Sequence, residues 1–305
     1  MHHRILDFSL NGLKLRVQQK QLKIIVDETR TESIPLADIA VMILSHPQIT
    51  LSYAVLQELN EAGAVAVICN KKSLPIGLCY PLVGHHLQTN RMQLQGAAPK
   101  PLLKKLWRQV VRKKIQFQGE LLEKFFQDDA GLKQMITTVR SGDPNNREGI
   151  AAKKYWAKLF GENGFRRLYN GEDRINIALN YGYAVLRAVI ARAISAAGLH
   201  PSLGLFHHNR YDPYCLANDL MEPFRPVVDA AVYCLDKEEK LSEELSPTIK
   251  NAIIGQLTKR YIVDKRQETL FETAAKMTES LSRIYENEEG KLLLPTTLPI
   301  KELPL

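Results

Sequence analysis

The spacing of apolar residues changes period once along the chain, between residues 84 and 101, and that change limits the available folds. Before it, apolar positions alternate as in strands; after it, they recur at helical spacing. Segments 4–8, 13–17 and 22–26 read as short strands. Asn11-Gly12 sits as a two-residue hairpin turn between the first two, which predicts a small antiparallel sheet. Ile34-Pro35-Leu36 opens another segment, and residues 41–44 are apolar enough for a buried strand. Thr50 can cap a helix bearing Leu51, Val55, Leu59 and Ala62, which Gly63 ends. Residues 65–69 and 78–80 supply the last strands and close two packed layers.

From 85 to 100 periodicity lapses into His85, His86, Gln88, Asn90, Gly96 and Pro99, the composition of a linker. Helices are expected at 101–124, 148–160, 175–197, 214–234, 246–261 and 267–286. The expected class is α+β: a β-rich N-terminal domain of two packed sheets with one helix (1–84), a linker (85–100), an all-α catalytic domain (101–290) and a proline-rich tail (291–305), loosely held or docked on a partner. A length of 305 residues, beyond the usual span of one core, supports the division.

The chain is 45% hydrophobic and 24% charged, near globular averages, and no uninterrupted apolar run reaches the ~18 residues of a membrane span. Met1-His2-His3-Arg4 leads directly into strand-like alternation without a signal-peptide apolar region, so a soluble cytoplasmic protein without a membrane partner is expected. Cys69, Cys79, Cys215 and Cys234 form no metal-ligand spacing and are expected to be reduced and buried. Lys and Arg outnumber Asp and Glu by 41 to 33, a balance suited to a polyanionic partner but shared by many merely basic proteins. Lys104, Arg108 and Arg112, four residues apart, form a basic stripe that could follow a phosphate backbone or simply face solvent.

Three stretches combine ligand-type residues. In the first, Asn146 is placed as an N-cap, so Glu148 falls in the first helical turn, where the macrodipole favours its ionised form. Such a carboxylate can bind a divalent cation or merely complement the dipole. The second, Gly204-Leu205-Phe206-His207-His208, is an apolar approach ending in imidazoles, which act as neutral nitrogen ligands, acid/base groups or structural donors. The third places Asp219 and Glu222 on one helical face, where like charges need a positive neighbour: Arg225 in a structural network, or a metal. Pro223 and Pro226 disturb the helix there. Two carboxylates and an imidazole without thiolate form a hard site suited to Mg2+ or Mn2+ and to phosphoryl transfer. Asn176, Asn180, Tyr183 and Arg187 recur on one face of an otherwise apolar helix, as lining of a site or as an interhelical hydrogen-bond seam.

Taken in order, Asn146-x-Glu148-Gly149-x-Ala151-Ala152-x-x-Tyr155-Trp156, Leu179-Asn180-Tyr181-Gly182-Tyr183, Gly204-x-x-His207 and Asp219-Leu220-Met221-Glu222-Pro223-Phe224-Arg225-Pro226 resemble the CRISPR-associated adaptation integrases, which insert new spacers into CRISPR arrays. The likeness covers most of the chain. Carried over residue by residue, it implies metal ligation by Glu148, His207 and Glu222, with Asp219 catalytic in a supporting role. The fifteen-residue interval to Glu222 favours His207 over His208. The wording around His207-His208 and Asp219 to Glu222 fits a type II system.

The resemblance further implies a homodimer joined to a small dimeric adaptation subunit, acting on double-stranded prespacer DNA and CRISPR repeat DNA. The expected reaction is attack of a prespacer 3′-hydroxyl on a repeat-edge phosphodiester. Two rival readings use the same residues: a stand-alone metal-dependent nuclease of branched DNA in repair, and a non-enzymatic DNA-binding scaffold whose carboxylates only stabilise helices.

Overall fold

The computed structural model describes residues 4–71, 75–161, 164–169 and 171–299. The expected tail segment 300–305 and the start Met1-His2-His3 lie outside the described residues. The fold is α+β, with a β-rich N-terminal part followed by a larger helical part.

β1 (Arg4–Phe8), β2 (Lys14–Gln18), β3 (Gln21–Ile25), β4 (Thr31–Pro35), β5 (Ile39–Leu44), β6 (Thr50–Leu51), α1 (Tyr53–Glu61), β7 (Val65–Cys69) and β8 (Pro75–Cys79) make the first part. They form two four-stranded sheets, ordered β1-β5-β7-β8 and β4-β3-β2-β6. β1 pairs in parallel with β5, in the sheet opposite β2, which corrects the expected β1–β2 hairpin: Asn11-Gly12 turns the chain between layers. The apolar content of β5 explains the choice. Its residues Ile39 to Ile43 are all buried, so it needs neighbours on both edges and packing on both faces. Thr50 and Leu51 belong to β6, and Ser52 occupies the N-cap position of α1, correcting the expected cap.

The second part contains α2 (Gln88–Ala97), α3 (Lys100–Phe126), α4 (Leu132–Ile136), α5 (Arg147–Phe160), α6 (Arg174–Ala196), α7 (Cys215–Met221), α8 (Arg225–Lys237), α9 (Pro247–Leu257), the hairpin β9 (Tyr261–Val263) and β10 (Arg266–Glu268), and α10 (Leu270–Asn287). The segment expected as linker is thus mostly helix. Its buried positions are Arg91 and Gln95, one turn apart: Arg91 binds Glu279, Glu286 and the Ala197 carbonyl, and Gln95 binds His200 and Leu203. A helix whose inner face is polar leaves no apolar period to find. The stretch read as one helix over 214–234 is α7 and α8 joined by a 3₁₀ turn, Glu222–Phe224.

α6 runs through the core. It is long and apolar enough to cross a membrane by composition, yet 78% of its apolar window is buried within the fold. At Gly182 an added Cβ would stand 2.4 Å from Val228 Cγ1 and 2.9 Å from Ile253 Cγ2, so glycine sets the approach of α8 and α9. The two parts also meet through charge: Tyr181 of α6 donates to Asp7 of β1 at 2.6 Å, with Lys250 of α9 3.5 Å from the same carboxylate and 1% exposed. Ser45 donates to it as well. Among the cysteines, all free, only Cys215 is buried; the other three are half-buried, short of expectation. The tail folds back on its own chain, with Leu292 and Leu298 buried and Thr297 bridged to Ile262 of β9.

Candidate active site

Local geometry places each candidate ligand. Asn146, at φ 47°, accepts from the Gly149 amide at 3.2 Å, and Asp143 accepts from the Arg147 and Glu148 amides, each at 2.9 Å. The free N–H groups of the first turn of α5 are therefore met from two side chains, and Glu148 projects from a fixed turn. A Cβ at Gly149 would fall 2.6 Å from Asn146 Oδ1, so the cap itself requires this glycine.

Asp219, fully buried in α7, receives the Leu205 and Phe206 amides on Oδ2 at 2.6 and 2.9 Å and contacts His207 Nδ1 through Oδ1. The carboxylate is already accepting two N–H bonds, so Nδ1 carries the proton of the neutral ring and leaves the Nε2 lone pair available. The hydrogen bond that His207 donates to Asp219 holds the His207 pKa above its ordinary value against the opposing effect of burial, with Glu222 and Glu148 adding to the rise. Below the loop, Trp107 of α3 stacks on Phe206 at 4.7 Å and meets His207 edge-on at 5.7 Å. Gly204 permits the turn, since a Cβ there would lie 2.4 Å from the His207 carbonyl.

Two helical turns beyond Trp107, Lys114 reaches between the carboxylates. Its Nζ lies 2.5 Å from Glu148 Oε1 and 2.6 Å from Glu222 Oε2, while Arg225 binds Glu222 Oε1 at 2.9 Å. Burial alone would lower the Lys114 pKa, but Glu222 and Glu148 raise it. Burial likewise favours neutral Glu222, yet Arg225, Lys114 and His207 keep it ionised, below its ordinary value. As the side chains stand, no three His, Cys, Asp or Glu among the described residues lie close enough together to hold a metal. The donor set nonetheless has the chemistry of a hard-cation site: two carboxylates converge on the Lys114 ammonium, and both act on the His207 imidazole that Asp219 orients.

Asp229 of α8 lies behind this group. Tyr155 donates to its Oδ2 at 2.8 Å; Tyr183 donates to its Oδ1, and the Tyr183 ring carries the Arg225 guanidinium at 4.6 Å. Burial pushes the Asp229 pKa up to about 6, while the two tyrosine hydroxyls and Arg225 restrain the rise. Asn176 and Asn180 act one step further away, accepting from Arg167 at 2.8 and 2.7 Å and holding the carbonyls of Arg166 and Tyr169. Arg187 lies over Tyr214. The polar face of α6 thus both binds the 166–169 loop and, through Asn180, Tyr183 and Arg187, lines the cleft described next.

Glu222, Arg225 and His207 open onto a cleft of ≈ 1600 Å³ whose walls include Arg167, Arg187 and Lys71. His208 is exposed and is not among its lining residues. Of the basic stripe, Lys104 is exposed and Arg108 half-buried, whereas Arg112 donates to the Val139 and Thr137 carbonyls and so serves the 137–139 turn.

Sequence reasoning missed Lys114, Trp107, Asp143 and Asp229. Lys114 carried a signal: Trp107, Val111, Lys114, Gln118 and Leu122 form one buried stripe of α3, and a lysine and a glutamine in such a stripe require partners.

The sequence model of the family described as CRISPR associated protein Cas1 matches residues 8–268. The CRISPR-associated endonuclease Cas1 of Neisseria meningitidis serogroup C is 37% identical over 295 residues, 96% of this chain and 96% of that protein. In structure, the chain resembles a casposase bound to integration product, with TM-score 0.78, 22% identity, and coverage of 99% of this chain and 95% of that one. It also resembles a chain of a Cas6-RT-Cas1–Cas2 complex, with TM-score 0.73, 16% identity, and coverage of 96% of this chain and 36% of that one. At these identities both likenesses concern the fold. The length of the family match and the near-complete alignment with the Neisseria protein lead to one conclusion: this chain belongs to the CRISPR-associated Cas1 family.

Proposed function

We propose that the chain is a metal-dependent DNA endonuclease and integrase of CRISPR adaptation, acting in the cytoplasm as a homodimer joined to the small adaptation subunit. The observation that carries the reading is the convergence of Glu148 and Glu222 on one cation seat beside an imidazole that Asp219 orients. Glu148, Glu222 and His207 are the residues that would hold Mg2+ or Mn2+, which would supply charge neutralisation to the reacting phosphoryl group. Arg225 and Asp219 keep two of these side chains in place, and Arg167, Arg187 and Lys71 line the cleft with positive charge suited to a nucleic-acid backbone. In the reaction, a prespacer 3′-hydroxyl forms a new phosphorus–oxygen bond as the repeat strand loses one. The number of phosphodiesters is unchanged and no energy cofactor is needed. The likeness of the chain to a casposase bound to integration product and to a chain of a Cas6-RT-Cas1–Cas2 complex supports DNA and the small subunit as partners.

The test incubates labelled prespacer ends with a supercoiled repeat plasmid and the small subunit. Strand joining is expected, with a loss of at least about 100-fold for Glu148→Gln or Glu222→Gln. Cleavage without joining favours the branched-DNA nuclease. Joining that survives both substitutions favours the scaffold.

A further inference from the structure

A buried lysine between two metal-binding carboxylates competes for the position a cation would take, and the structure beside Lys114 offers the lysine another place. A second, small cavity of ≈ 70 Å³ is lined by Lys114, Gln118, Arg167, Tyr183, Arg225 and Asp229, among others. Such a volume accommodates an ammonium group, which is about the size of a water molecule. Gln118 sits one helical turn beyond Lys114, is 3% exposed, and its Oε1 has no hydrogen-bond partner among the described residues. An unmet buried acceptor destabilises the fold, so its retention next to a flexible ammonium needs a reason. Asp229, 1% exposed, adds a carboxylate to the same cavity wall.

We propose that Lys114 is a resident counterion for the Glu148–Glu222 pair, yielding its seat to the divalent cation and withdrawing into this cavity, where Gln118 Oε1 and the Asp229 side receive it. The inference rests on the metal-dependent reading above and adds the device that keeps the carboxylates converged when metal is absent. Lys114 is therefore a positioning residue that also sets metal affinity. Without the ammonium the carboxylates would repel and spread; with it fixed in place, a dication could not enter.

The test titrates the full-length chain with Mn2+ alone by calorimetry, following thermal stability in parallel. Lys114→Met removes the competing charge, and Mn2+ binding is expected to tighten by about tenfold, while the metal-free protein melts lower. Gln118→Leu removes the receiving acceptor and is expected to weaken Mn2+ binding by about threefold. In the double variant the Gln118 effect should vanish, since no ammonium remains to be received. Equal or weaker Mn2+ binding by Lys114→Met overturns the proposal, as does a Gln118→Leu effect that is absent or undiminished in the Lys114→Met background. If Lys114→Met does not fold, Gln118→Leu alone decides: weaker binding supports the exchange and unchanged binding overturns it. Absence of Mn2+ binding by the unaltered chain and by Lys114→Met would remove the metal-dependent reading and this inference together. Binding without the expected tightening removes only the inference.

Discussion

Asp229 is ionised only at a cost, because its carboxylate is buried and its pKa stands at about 6 instead of near 4. The folded chain holds that proton more tightly than the unfolded chain, so the stability it contributes is present at low pH and falls as pH rises from about 4 through about 6. Asp229→Asn removes the titration. The stability of the unaltered protein relative to that variant should therefore increase by about 2 kcal/mol between pH 7.5 and pH 4.5, measured by urea unfolding at each pH. A difference that stays flat over this range contradicts the assignment. At this scale the sequence was readable where a residue met a local rule. Asn146 as a cap and Glu148 in the first turn follow from propensity alone, and the structure has both. Lys114 was not readable in the same way, because its partners lie 34 and 108 positions away and only the fold brings them together.

Among elements, α6 organises the helical part, and its motif Asn180-Tyr181-Gly182-Tyr183 serves three directions. Asn180 holds the 166–169 loop, Tyr181 reaches the β-rich part and Tyr183 meets Asp229. Gly182 allows the close packing from which these contacts follow. Gly182→Ala should cost about 1–3 kcal/mol, since the branched Val228 and Ile253 have little freedom to move aside. Chemical denaturation measures it, and a change below 0.5 kcal/mol, about the usual limit for a surface substitution, would mean that the helices separate easily. Most helices announced themselves through apolar period, but α2 did not, because its inward face is Arg91 and Gln95. The break between α7 and α8 was marked by Pro223 and Pro226. Its consequence, a 3₁₀ turn that carries Glu222, needed coordinates.

Across the whole molecule, the α+β order of parts was legible from the change of period, whereas the sheet membership of β1 was not. Local turn chemistry at Asn11-Gly12 suggested a hairpin, and the need to cover both edges of buried β5 prevailed. β1 in turn presents Asp7 to the helical part, where Lys250 and Tyr181 meet it. Asp7→Ala leaves Lys250 buried without its counter-charge and should cost about 3–5 kcal/mol; pairing it with Lys250→Met should recover a large share. Equilibrium unfolding of the single and double variants measures both, and strict additivity of the two losses would show that the groups do not act as a pair.

The backbone at Gly84 follows from the same union of parts. A Cβ there would lie 2.0 Å from the carbonyl oxygen of Ser195, in the last turn of α6, so the segment leaving the β-rich half is pressed against the helix that floors the other. The junction leaves no room for a side chain between the two halves. Ile76 and Leu78 of the β-rich part line the same cleft as Glu222 of the helical part, so the cleft spans this junction. On the function proposed above, a nucleic acid lying in that cleft would meet walls whose placement this junction helps to set, and any bending would fall to the polymer.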